Sequence, residues 1–262
     1  MIKHIVMFSG GAASSYCAWW VVNKYGKENV ILLHTPTYSE DKDADRFRKQ
    51  VAEYLGIKMT EPEDGRDIWE VIEDSNCLPS HFIPFCTQVL KLKPMLDWLK
   101  EYTKENKDLI LYYGFSREEP GRIQKQTARI IQMRYEKTYG GKPKYNKSKI
   151  STCYPLVEDS LTSNDCKRII TTEWGICMPV TYKIYEHNNC IPCFKSSSKK
   201  YWAKVAKHNP IEFQKAIDAE HFTGHTHFKD MTLEELREKA EIYINQIDMF
   251  EEVDNFPCMC SF

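Results

Sequence analysis

The sequence lacks any apolar run long enough to cross a membrane. A spanning helix needs about 18 or more largely apolar residues, and no stretch of the 262-residue chain approaches that length. The opening segment, MIKHIVMF, leads directly into a strand-like pattern and lacks the long apolar region and small-residue cleavage site of a secretory signal. We therefore expect a cytoplasmic protein with no membrane partner.

The sequence also lacks a strong net charge. Its 36 basic and 37 acidic residues leave a formal net charge of −1, so the chain as a whole does not attract nucleic acid or anionic membranes. Any contact with a polyanion has to come from a local patch. Internal repeats and low-complexity tracts are missing as well, and the 42% hydrophobic content can fill the core of an ordinary globular protein.

Cysteine, by contrast, is plentiful. Ten cysteines would suit a disulfide scaffold in a short secreted chain. In a chain of this size without an export signal they favour reduced thiols, metal binding or redox chemistry. Several are expected to be buried apolar residues.

Strand and helix patterns alternate along much of the chain. Buried strands are predicted over residues 2–8, 29–34, 108–113 and 150–156, and helices over residues 14–25, 87–102, 162–172 and an acidic segment that closes at Gly56. This alternation predicts an α/β fold, in which a doubly wound, mostly parallel sheet is covered by helices on both faces. We expect an α/β domain over residues 1–157 and a smaller helical region with cysteines over residues 158–262.

Residues 132–149 interrupt this pattern. Their composition is basic, with Gly140, Gly141 and Pro143 near the centre. Such composition is typical of a loop. We interpret the segment as either a mobile loop or a linker.

A glycine-rich turn follows the first predicted strand. Ser9, Gly10 and Gly11 lead at once into a helix that begins near Ser14 and Ser15. Backbone N–H groups and the positive end of a helix then lie at the carboxyl edge of the sheet, where an anion binds favourably. The two glycines allow close approach or positive φ, and the serine hydroxyls can donate to phosphate or cap the helix. The alternative is an ordinary strand-to-helix turn.

The pattern S-G-G-x-x-S over residues 9–14 resembles the signature of PP-loop ATP pyrophosphatases. The resemblance implies a Rossmann-like (HUP-type) domain that binds ATP with Mg²⁺ and splits it between the α- and β-phosphates. Many members have Asp at the position of Ala13. Glu40, Asp41 or Asp43 could supply a substitute carboxylate, or these acids could be the solvated start of a helix.

Two further segments resemble the phosphoadenylyl-sulfate (PAPS) reductase-like branch of that superfamily, many of whose members are encoded by phages and mobile elements. They are FCTQVLKLKP at residues 85–94 and the G-x-x-R-E-x-x-x-R pattern at residues 114–122. The resemblance implies catalytic roles for Ser14, Lys91 and Arg122. It implies nucleotide binding by Ser9, Gly10, Gly11, Ser14, Ser15, Thr35, Lys93, Gly114 and Arg117.

Elementary physics supports part of this assignment. Lys91 and Lys93 lie near the start of a predicted helix, where cations are unfavourable unless an anion is close. Arg117 and Arg122 follow a central strand, and arginine can bind a phosphate through two hydrogen bonds. The alternative for each of the four is a solvated surface charge.

Cys190 and Cys193 form a C-x-x-C pair, which can direct two thiolates at one metal. One pair is half a site. The resemblance supplies Cys86 as a third ligand of a 4Fe-4S cluster beside the nucleotide. The fourth is Cys166 or one of the terminal Cys258 and Cys260, and Zn²⁺ fits the same thiolates.

Three functions remain open from the sequence. The leading hypothesis is an ATP-dependent enzyme that adenylates its substrate and releases pyrophosphate, for sulfur transfer or nucleic-acid modification. Its partners would be an adenine nucleotide, a nucleic acid or sulfur donor, and in a homo-oligomer a second copy of the chain. One alternative is a sulfonucleotide reductase. The terminal Glu-Cys-Gly-(Ile/Leu)-His of those enzymes is missing, however, and Thr87 stands where they commonly carry a second cysteine. The other alternative is a non-catalytic nucleotide-binding module.

Overall fold

The computed structural model describes residues 2–106, 108–135, 149–185 and 187–245. Within these ranges one sheet contains β1 (Lys3–Met7), β2 (Val30–Leu33), β3 (Met59–Thr60), β4 (Asp108–Tyr112) and β5 (Lys149–Cys153). All neighbouring strands are parallel, in the order β3-β2-β1-β4-β5. The predicted α/β fold with a parallel sheet is confirmed.

The helices of the described chain lie before and after β4. Before β4 are α1 (Ala12–Tyr25), a 3-10 turn (Lys27–Asn29), α2 (Lys42–Leu55), α3 (Ile68–Ser75), α4 (Phe85–Thr87), a π-helical turn (Gln88–Leu92) and α5 (Lys93–Tyr102). After it are α6 (Pro120–Tyr135), α7 (Pro155–Glu158), α8 (Ser163–Thr172), α9 (Thr181–Tyr185), α10 (Lys199–His208), α11 (Pro210–Thr223), α12 (Leu233–Glu238) and α13 (Ala240–Asn245). None of these helices is long and apolar enough to cross a membrane.

The strand order reverses next to β1. The chain first adds β2 and β3 on one side of β1 and then places β4 and β5 on the other. In open α/β sheets, ligands bind in the crevice beyond the carboxyl ends of the strands at such a switch point. The β1–α1 turn and the segment after β4 lie at this crevice.

Both faces of the sheet are buried, because side chains of each strand alternate between them. One face packs against α1, α2 and α8, in a core that includes Val6, Leu32, Tyr112, Val21, Phe47, Val51 and Ile170. The opposite face packs against α5 and α6, in a core that includes Ile5, Met7, Leu33, Leu111, Met95, Leu99 and Ile123. The sheet is therefore doubly wound.

A third core joins the C-terminal helices to parts of the N-terminal half. It contains Trp202 and Phe213 of α10 and α11, together with Ile72 of α3 and Leu90. Conversely, α8 packs against α1 in the core of the sheet, through Ile170. Packing thus crosses the expected boundary at residue 157 in both directions.

Local sequence signals explain several helix ends. Asp41 accepts a hydrogen bond from the backbone N–H of Asp43 and caps α2, which ends at Gly56 with φ of 65°. Thr162 and Asp165 form a reciprocal capping box at the start of α8. The box explains why the helix predicted over residues 162–172 begins here.

The helix predicted over residues 87–102 is not a continuous α-helix. A π-helical turn covers Gln88–Leu92 before α5 begins. Pro94 has no N–H to donate to the carbonyl of Leu90, so the regular ladder is interrupted there. The centre of the predicted basic loop, at Gly140 and Gly141, lies outside the described residues.

Candidate nucleotide site

The turn between β1 and α1 has the backbone geometry of an anion-binding loop. Gly10 adopts a positive φ of 77°, a conformation that favours glycine. Gly11 is the N-cap of α1 and provides no side-chain cap for the helix amides. The carboxyl end of a parallel strand therefore opens directly onto the positive end of a 14-residue helix.

The backbone amides at the start of α1 differ in their partners. Ser15 donates its N–H to the carbonyl of Gly11 at 3.0 Å, which begins the helical ladder. Ala12 donates its N–H to the hydroxyl of Tyr182 at 3.0 Å. Within the described chain, the amides of Ala13 and Ser14 donate to no protein group. Two N–H donors are thus available for an anion.

The three predicted serines form one hydrogen-bonded group. Ser9 donates its hydroxyl to that of Ser14 at 3.1 Å, and Ser14 donates to the carbonyl of Gly11 at 3.0 Å. Ser15 also donates to this carbonyl, at 2.9 Å, and its side chain is completely buried. Ser9 and Ser14 therefore lie in the loop, whereas the buried hydroxyl of Ser15 stabilises the loop from the protein interior.

Gly114 lies where β4 approaches the start of α1. A Cβ atom at this position would lie 2.6 Å from the backbone carbon of Ala13 and from the nitrogen of Ser14. Such contacts are far shorter than carbon atoms tolerate, so only glycine fits. The predicted nucleotide residue Gly114 thus fixes the distance between the loop and β4.

Arg48 is a residue at the site that sequence reasoning missed. Its side chain is 5% exposed and packs so closely on Gly10 that a Cβ there would lie 2.3 Å from its Cγ. The available signal was its position in α2, on the buried face shared with Ala44 and Val51. A charged residue on such a face needs a partner.

That partner is Glu40, a buried carboxylate after β2. Its Oε2 lies 3.4 Å from Arg48 Nη1, and its Oε1 lies 3.7 Å from Lys91 Nζ. Burial opposes ionisation of Glu40, but Lys91, His34 and Arg48 outweigh it and lower its pKa. Glu40 is therefore an anion at neutral pH that joins two cations beside the loop.

His34 completes this buried group. Burial, reinforced by the charge of Arg48, lowers its pKa to about 4, so the ring is neutral at neutral pH. Its Nδ1 lies 3.0 Å from the carbonyl of Phe8. Among the described residues, His34 Nε2 and Arg48 Nε have no hydrogen-bond partner. Such buried unsatisfied groups are rare, and each calls for an explanation, such as a water or ion bound there.

The structure separates the two predicted lysines. Lys91 points inward to Glu40 with 12% of its side chain exposed. Lys93 is 70% exposed and pairs with Asp97 one turn along α5, at 3.1 Å. Their spacing of two residues places them on different sides of the helical segment. Lys91 lies at the site, whereas Lys93 is a surface residue.

The two predicted arginines are also in different environments. Arg122, at the start of α6, pairs with Glu119 and lies over the ring of Phe115, with 4.3 Å between guanidinium and ring centre. Arg117 is exposed in the preceding turn. Both follow the carboxyl end of β4, as predicted, and only Arg122 is held in a fixed position by these contacts.

The remaining predicted residues lie after β2. Thr35 is buried two residues beyond the strand. Asp41 caps α2, and Asp43 pairs with Arg46 and accepts a hydrogen bond from the backbone N–H of Val180 at 2.8 Å. Since Glu40 is paired with cations, each of the three acids already has protein partners. This arrangement does not fit a magnesium site.

The cysteine pair contacts the same edge of the sheet. Cys190 forms an antiparallel bridge with Glu40, and its Sγ lies 3.1 Å from the hydroxyl of Thr37. The carbonyl of Cys193 accepts a hydrogen bond from the N–H of Ser196, and the N–H of Cys193 donates to the hydroxyl of Tyr201 at 2.7 Å. The C-x-x-C turn is therefore fixed beside the Glu40 group.

Within the described ranges, Cys86 and Cys166 do not complete a metal site with the C-x-x-C pair. Cys86 packs against the same third core as the C-x-x-C turn. Cys166 lies on α8, in the core that this helix shares with α1, where burial raises its pKa to about 12. The described residues contain no group of three or more His, Cys, Asp or Glu side chains that could hold a metal ion. Cys258 and Cys260, the other two candidates for the fourth ligand, lie outside these residues, so the 4Fe-4S cluster and Zn²⁺ stay predictions.

Fold and loop together define the class. A doubly wound parallel sheet carries a glycine-containing anion loop at its switch point, with buried cations beside it, as in α/β nucleotide-binding domains. The family profile of the phosphoadenosine phosphosulfate reductase domain matches residues 3–211. The chain belongs to this family, and thus to the PAPS reductase-like branch of the PP-loop superfamily. The comparison with curated proteins finds no match.

Proposed function

We propose that the protein is an ATP-dependent enzyme that adenylates an oxygen of its substrate and releases pyrophosphate. Membership of the family supports a nucleotide-using enzyme. The observation that carries the finer proposal is the β1–α1 loop, with two N–H donors at the end of a helix and positive φ at Gly10. This geometry suits a polyphosphate.

In the proposed reaction, a substrate oxygen attacks the α-phosphorus of ATP. The bond from that phosphorus to the bridging oxygen breaks, and pyrophosphate leaves with the bonding electrons. The amides of Ala13 and Ser14 would hold the departing phosphates, and Arg122 would neutralise charge from the β4 side. Orientation and charge neutralisation supply most of the rate in such transfers, since they leave little covalent work for the protein.

The proposed role of Lys91 depends on Glu40. A lysine ammonium beside a buried carboxylate is held in one position. A phosphate bound beside Gly10 would be attracted by the positive charges of Lys91 and Arg48, and the negative charge of Glu40 would partly offset this attraction. The substrate would be a nucleic acid or a small acceptor of sulfur, with AMP displaced in the second half of the reaction.

A second candidate is reduction of a sulfonucleotide, and the name of the matching family favours it. The nucleotide would occupy the same loop. A thiolate of the chain would attack the sulfur, so that an S-sulfonated cysteine forms and the nucleotide leaves with its phosphate oxygen. A second thiol would then attack the cysteine sulfur, which forms a disulfide and releases sulfite. Cys190 and Cys193 lie beside the Glu40 group, which supports this alternative.

One assay separates the two. The purified protein is incubated with ATP and candidate acceptors, and pyrophosphate is measured; in parallel it is incubated with adenylyl sulfate or PAPS and a dithiol, and sulfite is measured. Pyrophosphate without sulfite supports adenylation, and the reverse supports reduction. Nucleotide binding without either product would contradict both.

The variant Ser14→Ala tests the loop itself. It removes the hydroxyl that receives a hydrogen bond from Ser9 and donates to Gly11. In the proposed complex this hydroxyl turns from Gly11 to donate to a phosphate oxygen. We therefore expect a loss of ATP affinity of about tenfold, the effect of losing one hydrogen bond to a charged group. Ser75→Ala, at the end of α3, removes a comparable bond to a carbonyl far along the chain and should leave affinity unchanged. Equal affinities for Ser14→Ala and the original protein would refute the loop assignment.

A further inference from the structure

The C-terminal region places a tyrosine hydroxyl on the phosphate loop. Tyr182 lies in the short helix α9, 170 residues from Ala12, whose N–H it accepts at 3.0 Å. The same hydroxyl lies 3.4 Å from the position that a Cβ of Gly11 would occupy. The Tyr182 hydroxyl therefore lies between the first amide of α1 and the crevice.

A second bond holds this segment on the loop. Asn188 donates its side-chain N–H to the carbonyl of Gly10 at 3.0 Å and accepts a hydrogen bond from the hydroxyl of Thr181 at 2.9 Å. Thr181 is the residue before Tyr182. The segment thus contacts the loop on both sides of Gly11. The two hydrogen bonds of Asn188 help to fix the position of the Tyr182 phenol.

The phenol has one hydrogen-bonding function left. A tyrosine hydroxyl can accept and donate at once, and here its oxygen accepts from Ala12. No acceptor for its proton is found within the described ranges. Burial raises the pKa of Tyr182, so the proton is present at neutral pH. A polar group of this kind at a loop that binds anions calls for an acceptor from a ligand.

We propose that Tyr182 is a phosphate-binding residue that donates its phenolic proton to an oxygen of the bound nucleotide. The inference deepens the proposed function and rests on it. The Ala12 N–H, at the positive end of α1, polarises the hydroxyl of Tyr182. This polarisation makes the hydroxyl a stronger hydrogen-bond donor to the phosphate. Lys167, whose Nζ lies 4.7 Å from the centre of the Tyr182 ring, places a positive charge beside this tyrosine.

The test compares Tyr182→Phe with Tyr185→Phe. Both tyrosines belong to α9, but the Tyr185 hydroxyl bonds to Asn209 and not to the loop. ATP and inorganic pyrophosphate are titrated against each protein, and melting temperatures confirm folding. We expect Tyr182→Phe to bind both ligands about tenfold more weakly or worse, and Tyr185→Phe to bind them as the original protein does.

A more acidic phenol provides a test that keeps the hydroxyl. Replacement of Tyr182 by 3-fluorotyrosine strengthens the donor, and we expect tighter binding of pyrophosphate. Unchanged or tighter binding by a folded Tyr182→Phe would overturn the inference, because the hydroxyl would then only cover the Ala12 amide. If the original protein binds neither ATP nor pyrophosphate, the proposed function fails as well.

Discussion

Replacing Glu40 by Gln tests the buried ion group beside the loop. The carboxylate is 10% exposed and lies 3.4 Å from Arg48 and 3.7 Å from Lys91, whose side chains are 5% and 12% exposed. The amide keeps the shape of the side chain but removes its charge. Two buried cations then lose their common counterion. Breaking a buried pair in this way typically costs about 3–5 kcal/mol.

That cost is a large part of the stability of an ordinary domain, which is about 5–15 kcal/mol in all. Urea unfolding at neutral pH would show it as a lower midpoint with an unchanged slope. The control is Glu101→Gln, which breaks an exposed pair with Lys104 and should cost about 1 kcal/mol or less. Similar, small losses in both variants would show that the Glu40 group is solvated and refute its burial.

The same replacement has an expected dependence on pH. The pKa of Glu40 is lowered in the folded protein, so its stabilising effect is complete above its ordinary value near 4.5 and is lost as the pH falls through the lowered value. The difference between the original protein and Glu40→Gln should therefore be constant near neutral pH and shrink in acid. A difference that grows on acidification would contradict this account.

Two further predictions concern packing and protonation. Gly114→Ala would place a Cβ 2.6 Å from the backbone of Ala13 and Ser14, so we expect about 1–3 kcal/mol of destabilisation in urea unfolding together with loss of nucleotide binding in a titration; unaltered binding would contradict the close approach. Burial lowers the pKa of His227 to about 4, so protonation favours the unfolded state and stability should fall as the pH drops from about 6.5 towards 4. His227→Gln, whose amide can still donate to the carbonyl of Ser196, should reduce that slope; an identical slope would show that His227 is solvated.

The glycine-containing turn between β1 and α1 and the sheet could be predicted because their signals are local. A buried strand, two glycines and a helix start occupy one continuous segment, and positive φ at Gly10 follows from the absence of a side chain. The alternation of strands and helices likewise predicted parallel pairing. These features depend on residues that are neighbours in sequence, so the sequence alone is enough to predict them.

Arg48 and Tyr182 could not be predicted, because their roles depend on distant contacts. The partner of Arg48 is set by the turn that brings Glu40 under the loop, and Tyr182 reaches Ala12 across 170 residues. Lys91 and Lys93 show the same limit on a smaller scale. Both have the same charge and similar sequence context, and only the direction of the helical segment decides which one faces Glu40.

A short segment of the C-terminal region contacts the candidate nucleotide site. Tyr182 and Asn188 contact the loop, and Cys190 pairs with the strand-like residue Glu40, which in turn holds Lys91 and Arg48. A displacement of the C-x-x-C turn would therefore move Asn188, two residues away, and with it the carbonyl of Gly10. Because the loop is fixed from both the sheet and this segment, changes at the cysteines are expected to alter nucleotide affinity even when no cysteine touches the nucleotide.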